Sequence, residues 1–452
     1  MATPAAETPT TRSPGVSMEL LPGKGLGPFY LGSPISDVIA YMRKRGMEYR
    51  RVQVQFSIAN PYRMDICLVL SHLGLRLRFC SYSQRLKIID VFQPMKIHMS
   101  YDSRPLGGPD TTPTFSLVSR VLGPTFPGRN HTRKRMYMLQ YPGVCALFPL
   151  KKVSTQRGDL TRESLEQADP VAVRFFVHVG KTCQERLQLP PLETSCFYLE
   201  PVVVRINTGI RFAKRKRSLL FQRHTLQHVM SSLGMPDQVY VKDTDSMRIH
   251  RSPLSTKGKG GFPLRGTRDY FLNYFKMGMD ILICGTTHKV SKIILHTNMP
   301  ATRNFNRYNR CNYQIMVNSE EPRAELTPGD KGRALRGGGN GKSNGGNGKQ
   351  QSKTSKLISF NTSWTEIQRI LGPCGRPMVY GGSPGLLDYP TPNGEAKAIK
   401  GDKAQTGPMI LGGASELNRL NPFKPTYFYA YAGIIFEVLP NDYIASIILF
   451  ST

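Results

Sequence analysis

One pattern recurs along the chain: a short amphipathic helix stops at Leu-Gly, and a Gly-centred hairpin of alternating apolar residues follows. Leu226, Val229, Met230 and Leu233 precede Gly234-Met235-Pro236, and Trp364, Ile367 and Leu371 precede Gly372-Pro373. Phe115, Val118 and Leu122 precede Gly123-Pro124 in the same way. Such spacing makes one apolar helix stripe, which glycine and then proline bring to an end. A first helix is expected over Ile35, Val38, Ile39 and Met42, with Ser33 as N-cap and Pro34 at the first helical position.

The hairpin recurs more regularly than the helix. After Gly74, apolar Leu75, Leu77 and Phe79 alternate with Arg76 and Arg78, the period of a half-buried strand. The same order returns around Gly143, Gly278 and Gly433, with further strands expected at 86–92, 290–295 and 443–450. Glycine supplies the positive φ of each turn. One helix with three strands has too little core to stand alone, so neighbouring units must cover each other. The expected class is α+β: repeated α-β-β-β units, with antiparallel meander sheets each backed by a short helix. This order resembles tandem β-lactamase-inhibitor-protein-like repeats, a likeness of shape that carries no function.

Composition shifts set the expected boundaries. A disordered Thr/Pro/Ala-rich extension covers 1–18, and units cover 19–100, 101–210 and 211–318. A Gly/Lys-rich linker spans 319–356, and the fourth unit, 357–452, carries a flexible insertion at about 381–422. That insertion is expected to protrude as a surface loop.

A formal net charge of +30 and a pI near 10.0 call for an anionic partner or a generally basic surface. The charge is spread over several stretches, and no zinc-finger spacing, basic heptad region or ribonucleoprotein-type aromatic motif accompanies it. Specific nucleic-acid binding is therefore not expected, although a basic nucleic-acid-associated platform is the alternative reading. Eight scattered cysteines without a Cys-x-x-Cys pair fit a reducing compartment. Neither an apolar stretch long enough to span a membrane nor a signal core is seen, so a cytoplasmic protein is expected.

Catalytic patterns fail on their details. Gly341-Lys342-Ser343 resembles the end of a phosphate loop, but Arg336 stands where the first glycine belongs. His224 and His228 are four apart, yet Thr225 replaces the glutamate of zinc proteases and no third ligand is evident. No Gly-x-Ser-x-Gly elbow occurs. Lys214-Arg215-Lys216-Arg217 reads equally as an import signal or as a basic turn after a strand from Val202 to Phe212. No enzyme activity, metal or cofactor is expected.

The most distinctive block runs from Asp269 to Cys311. Its apolar half is an ordinary meander, and its polar half suits either local backbone bonding or a partner-facing loop. The residues read as candidate partner contacts are Arg248, His250, Ser252 and Pro253, with His296, Asn298, Arg303, Asn304, Asn306 and Arg310.

At this block the sequence resembles the phagosome assembly factor 1 family. The resemblance rests on Tyr270–Phe275, Gly278–Leu282, Thr287–Val290, Leu295–Asn298, Asn304-Phe305-Asn306 and Arg310-Cys311. Met247–His250 with Ser252-Pro253, Gln84–Lys87, and Ile434, Phe436 and Glu437 with Ile444–Ser446 extend it over most of 19–450. The high positive charge, the N-terminal extension and the enlarged linker depart from the family pattern. The resemblance implies a non-enzymatic autophagy adaptor that joins a WD-repeat β-propeller protein and meets phosphoinositide membranes through that partner. It also implies recruitment to the phagophore assembly site, with Golgi or endosomal membranes as further locations.

Overall fold

A computed structural model describes residues 16–46, 48–49, 51–125, 128–131, 135–150, 162–182, 188–192, 196–242, 268–302, 304–317, 356–380, 409–411 and 426–452. The first half opens with β1 (Ser17–Leu21), β2 (Gly25–Leu26), β3 (Phe29–Tyr30), α1 (Ile35–Lys44), β4 (Val52–Gln55), β5 (Ile66–Leu70), β6 (Leu75–Phe79) and β7 (Leu86–Val91). It continues with β8 (His98–Tyr101), β9 (Arg104–Gly107), α2 (Phe115–Leu122), β10 (Arg129–His131), β11 (Met136–Tyr141), β12 (Val144–Pro149), α3 (Arg162–Ala168) and β13 (Arg174–His178).

The second half begins with β14 (Pro201–Arg205), β15 (Gly209–Phe212), β16 (Arg217–Leu220), α4 (Leu226–Leu233), β17 (Gln238–Val241), β18 (Tyr270–Tyr274), β19 (Met279–Ile283) and β20 (Val290–His296). It ends with β21 (Asn312–Val317), β22 (Lys356–Ser359), α5 (Trp364–Leu371), β23 (Met378–Tyr380), β24 (Met409–Leu411), β25 (Thr426–Tyr431), β26 (Ile434–Val438) and β27 (Ile444–Phe450). The chain is thus strand-rich with few helices, as an α+β class requires.

Among the described residues the strands form four sheets. Two five-stranded sheets have the orders β3-β2-β1-β8-β9 and β16-β15-β14-β21-β22, each with a parallel pair at its centre. Two large antiparallel sheets have the orders β10-β11-β12-β13-β7-β6-β5-β4-β24 and β17-β18-β19-β20-β27-β26-β25-β23. Both halves thus pair their strands in one order, and β24 is a ninth strand lent by the second half to the first.

The Gly turns behave alike in all four hairpins. Gly74, Gly143, Gly278 and Gly433 have φ of +63°, +84°, +69° and +80°. Their carbonyls accept from Phe92, His178, His296 and Phe450 at 2.8, 3.0, 2.8 and 3.1 Å, the residues at the ends of the third hairpin strands. The Leu-Gly helix ends are also tied to the hairpins. Tyr141, Tyr274 and Tyr431 donate their hydroxyls to the carbonyls of Gly123, Gly234 and Gly372 at 3.0, 2.9 and 2.8 Å. Each of these glycines ends its helix at positive φ, from +85° to +88°, a conformation that costs other residues about 1 kcal/mol or more.

Several sequence expectations are corrected. Helix α1 starts at Ile35, with Pro34 at the N-cap and no side-chain cap from Ser33. The strand expected from Val202 to Phe212 is a hairpin, broken at Ile206–Thr208. The basic run Lys214–Arg217 is the turn into β16, whose first residue is Arg217. Within the insertion, Met409–Leu411 pairs with β4 instead of looping free, and its remaining residues lie outside those described. An additional strand, such as β4 or β17, separates each of α1, α2, α4 and α5 from its hairpin.

The core divides as the sheets do. One cluster is built from first-half residues such as Phe79, Phe148 and Phe175, and the other from second-half residues such as Phe212, Tyr313 and Phe436. Each half also sends an aromatic ring across. Phe305 belongs to the first cluster, and Tyr62 packs against the second.

Candidate functional site

The segment joining β20 to β21 carries most of the polar residues singled out from sequence, and it lies on the seam between the halves. Asp280 on β19 is buried, and three side chains bond to its carboxylate. Asn273 Nδ2 donates at 2.6 Å, the Tyr308 hydroxyl reaches its two oxygens at 2.8 and 2.9 Å, and His296 Nε2 lies at 2.9 Å. The His296 and Tyr308 rings stack with centroids 3.9 Å apart. Burial, and then the Asp280 carboxylate, push the Tyr308 hydroxyl well above its ordinary value and keep it a neutral donor.

The next residues cross to the first half. Asn298 Nδ2 donates to Gln84 Oε1 at 2.8 Å, and Gln84 Nε2 donates to the Asn298 carbonyl at 2.7 Å. Gln84, Asn298 and Asn306 all hold positive φ, at +55°, +49° and +65°, a region that asparagine enters at little cost. Asn298 Oδ1 accepts from the Asn306 N–H at 2.8 Å, which closes the loop on itself.

Arg310 fastens the seam. Its side chain is buried, with Nε 2.7 Å from the Thr297 carbonyl and Nη1 2.6 Å from the carbonyls of both Ser81 and Tyr82. Its guanidinium lies over the rings of Tyr62 and Phe360, 5.0 and 5.2 Å from their centroids. Carbonyl dipoles and ring faces therefore hold this cation. Tyr198 donates to the Ser83 carbonyl at 2.7 Å, Arg85 to that of Pro190 at 2.8 Å, and Asn441 to that of Ile58 at 2.9 Å.

His296, Asn298, Asn306 and Arg310, expected as partner contacts, are buried here; the side chains of His296, Asn298 and Arg310 bond within the chain, whereas Asn306 bonds through its backbone N–H and its side-chain amide has no partner. The physical reason is that the loop's polar groups satisfy tight backbone turns and an internal seam. Asn304 stays exposed on the loop. Arg248, His250, Ser252, Pro253 and Arg303 lie outside the described residues. Sequence reasoning missed Gln84, Tyr62 and Asp280 as members of the seam. For Gln84, the signals were its place between two hairpin strands and its membership of the Gln84–Lys87 stretch that carries the family resemblance.

The outer rim of the seam exposes cationic and aromatic side chains. Arg307 is exposed and lies over the rings of Phe275 and Tyr308, at 5.2 and 5.8 Å, and its N–H donates to the carbonyl of exposed Asn304 at 3.1 Å. Tyr82 is 46% exposed on the facing turn. A crevice nearby is lined by Phe197, Glu200, Arg215, Lys276 and Met277. Cations held on aromatic faces present their remaining donors outward, a chemistry suited to carboxylates or carbonyls.

Two other pairs bring reactive side chains together. Cys145 Sγ lies 3.2 Å from His178 Nε2, but both side chains are wholly buried, where a nucleophile would meet no substrate. The His224 and His228 rings stand 3.7 Å apart, and no group of three or more His, Cys, Asp or Glu among the described residues could hold a metal ion.

The family profile described as phagosome assembly factor 1 matches residues 25–450. The chain belongs to the phagosome assembly factor 1 family. It is 30% identical to a PHAF1 protein of Arabidopsis thaliana, over 99% of this chain and 97% of that one. It is 28% identical to a PHAF1 protein of Drosophila melanogaster, over 97% and 94%. A PHAF1 protein of Caenorhabditis elegans is 26% identical over 65% of this chain and 75% of its own length. No solved structure matches the chain. The family name points to a role in phagosome assembly, and no helix among the described residues is long and apolar enough to cross a membrane.

Proposed function

We propose that the chain is a non-enzymatic adaptor in autophagy, which joins a WD-repeat β-propeller protein at the site where autophagosomes form. One observation carries this reading: the family match spans residues 25–450, nearly the whole body of the protein. The seam supports it, because a frame with a locked joint holds docking loops at fixed positions. In this proposal the propeller meets phosphoinositide, and the cationic surface adds attraction to anionic lipid. The exposed rim around Asn304, Arg307 and Tyr82 is the proposed contact. The proposal further treats the four helix-hairpin segments as copies of one unit, of the shape of β-lactamase-inhibitor-protein-like repeats.

Affinity purification of the tagged chain from starved cells in low salt tests the adaptor reading. Recovery of a propeller protein, with relocation of both to forming autophagosomes, is the expected result. Recovery without any propeller protein counts against it. The net charge of +30 gives a nucleic-acid platform its one supporting observation. Sequence-selective RNA or DNA binding that survives physiological salt would favour that platform, whereas a steep salt slope reports charge alone.

A further inference from the structure

The two large sheets differ at one equivalent edge. In the first half β4 is followed in the sheet by β24, with Val54 opposite Met409, Gln53 opposite Ile410 and Val52 opposite Leu411. In the second half the strand at that place is β17, and nothing among the described residues pairs with its outer side. The inward-facing residues show the consequence. Val52 and Val54 are 4% and 0% exposed, whereas Val239 and Val241 are 52% and 47% exposed. Val54 lies opposite buried Leu68, and Val239 lies opposite buried Leu272, so both strands present the same side to the core. Tyr240, between the two valines, is 50% exposed, and Met235 after helix α4 is 77% exposed.

The hydrogen-bonding direction of this edge can be read from its ladder. The Lys242 N–H donates to the Asp269 carbonyl at 3.0 Å, in register with Val241 opposite Tyr270. Antiparallel bonding alternates, so Tyr240 and Gln238 bond inward, and the N–H and C=O of Val239 and Val241 face the open side. An edge with two free donor–acceptor pairs and apolar side chains is a template for another strand.

We propose that the outer edge of β17 docks an extended apolar segment of another protein, flanked by acidic residues and added antiparallel as a further strand. The occupant follows from three observations. The matching edge already takes an apolar extended segment, Met409–Leu411, in antiparallel register. That segment is engaged on β4, so lending it to β17 of a second copy would uncover one edge to cover another. A formal charge of +30 also sets two copies against each other and favours acidic flanks on the incoming strand. The proposal goes beyond the adaptor role and holds whichever protein supplies the strand.

The probe is a fluorescein-labelled peptide carrying Met-Ile-Leu between Asp-Glu flanks, titrated with the full chain at physiological salt and read by anisotropy. Saturable binding is expected, weaker with neutral flanks. Val239→Pro should weaken it at least about tenfold, because proline removes an outward donor and spares the ladder to β18. Val241→Lys is a second block that keeps every backbone N–H, and it decides the matter should the proline variant fail to fold. Absence of saturable binding overturns the proposal, as does equal binding by wild type and a folded variant. A concentration-dependent dimer in sedimentation that either variant dissolves would make a second copy the occupant, and overturns it too. Any of these failures leaves the co-purification result for the adaptor untouched.

Discussion

The guanidinium of Arg310 reaches the backbone carbonyl of Ser81 at 2.6 Å, joining residues 229 positions apart. Removing that cation leaves the carbonyls of Ser81, Tyr82 and Thr297 without their donor in a buried seam. Arg310→Ala should lower the unfolding free energy by about 3 kcal/mol or more, measured by urea denaturation. Arg310→Lys should recover only part of the loss, because an ammonium cannot reproduce the planar fork over the Tyr62 and Phe360 rings.

Gln84 and Asn298 exchange two hydrogen bonds across the seam. Gln84→Ala and Asn298→Ala should each cost about 2 kcal/mol, since the first leaves Asn298 Nδ2 and the Asn298 carbonyl without partners and the second leaves Gln84 Oε1 and the Asn306 N–H without theirs. The double variant should cost less than the sum, with a coupling of about 1 kcal/mol or more in a double-mutant cycle. Full additivity would show that the pair does not act as a unit.

Glycine substitutions should separate backbone strain from crowding. A Cβ at Gly372 would meet nothing within 4 Å, so Gly372→Ala should cost only the strain of its φ of +88°, about 1 kcal/mol. At Gly278 the added Cβ would lie 2.2 Å from the Asn309 carbonyl, within the polar loop. Gly278→Ala should therefore destabilise the chain clearly more than Gly372→Ala in thermal melts. Tyr431→Phe, which removes the donor to the Gly372 carbonyl, should cost about 1 kcal/mol.

Acidification should weaken the region around helix α4. Burial, then the nearby His228 and Arg223, hold His224 below its ordinary value of 6.5. The Leu220 N–H donates to its Nδ1 at 3.1 Å, which requires the lone pair of the neutral ring. Below the unfolded value of 6.5 the unfolded chain binds this proton more readily than the folded one, so stability falls as pH drops through that point and is fully present above it. His224→Gln should flatten the decline of the urea midpoint between neutral pH and about pH 5.

The hairpins were legible because two signals coincide there: apolar alternation, as in Leu75, Leu77 and Phe79, and a glycine that must take positive φ. Helices α2 and α5 were legible from their stripes and their Gly ends, and Thr114 and Ser363 cap them as the sequence pattern allows. The five-stranded sheets were not. β2 and β3 are two residues each, too short for any period to register, and the turn at Ile206–Thr208 lacks the glycine that marks the other hairpins. The burial of His296, Asn298, Asn306 and Arg310 on the seam was hidden for a different reason. A polar residue that satisfies a buried turn has the same letter as one that meets a partner. What separates them is a neighbour such as Gln84, more than two hundred positions away, which no local pattern reveals.

The pairing of early strands with late ones governs how the protein can be made. β20 takes β27 as its neighbour, with Ile294 opposite Ile448, so the second large sheet stays in two pieces until Ile444–Phe450 has left the ribosome. The first half can close once His178 has emerged, but the strand that covers β4 is synthesised much later, at Met409–Leu411. While the second half is being translated, β4 is an unshielded edge on a nascent chain, the kind of edge that pairs with a neighbouring strand.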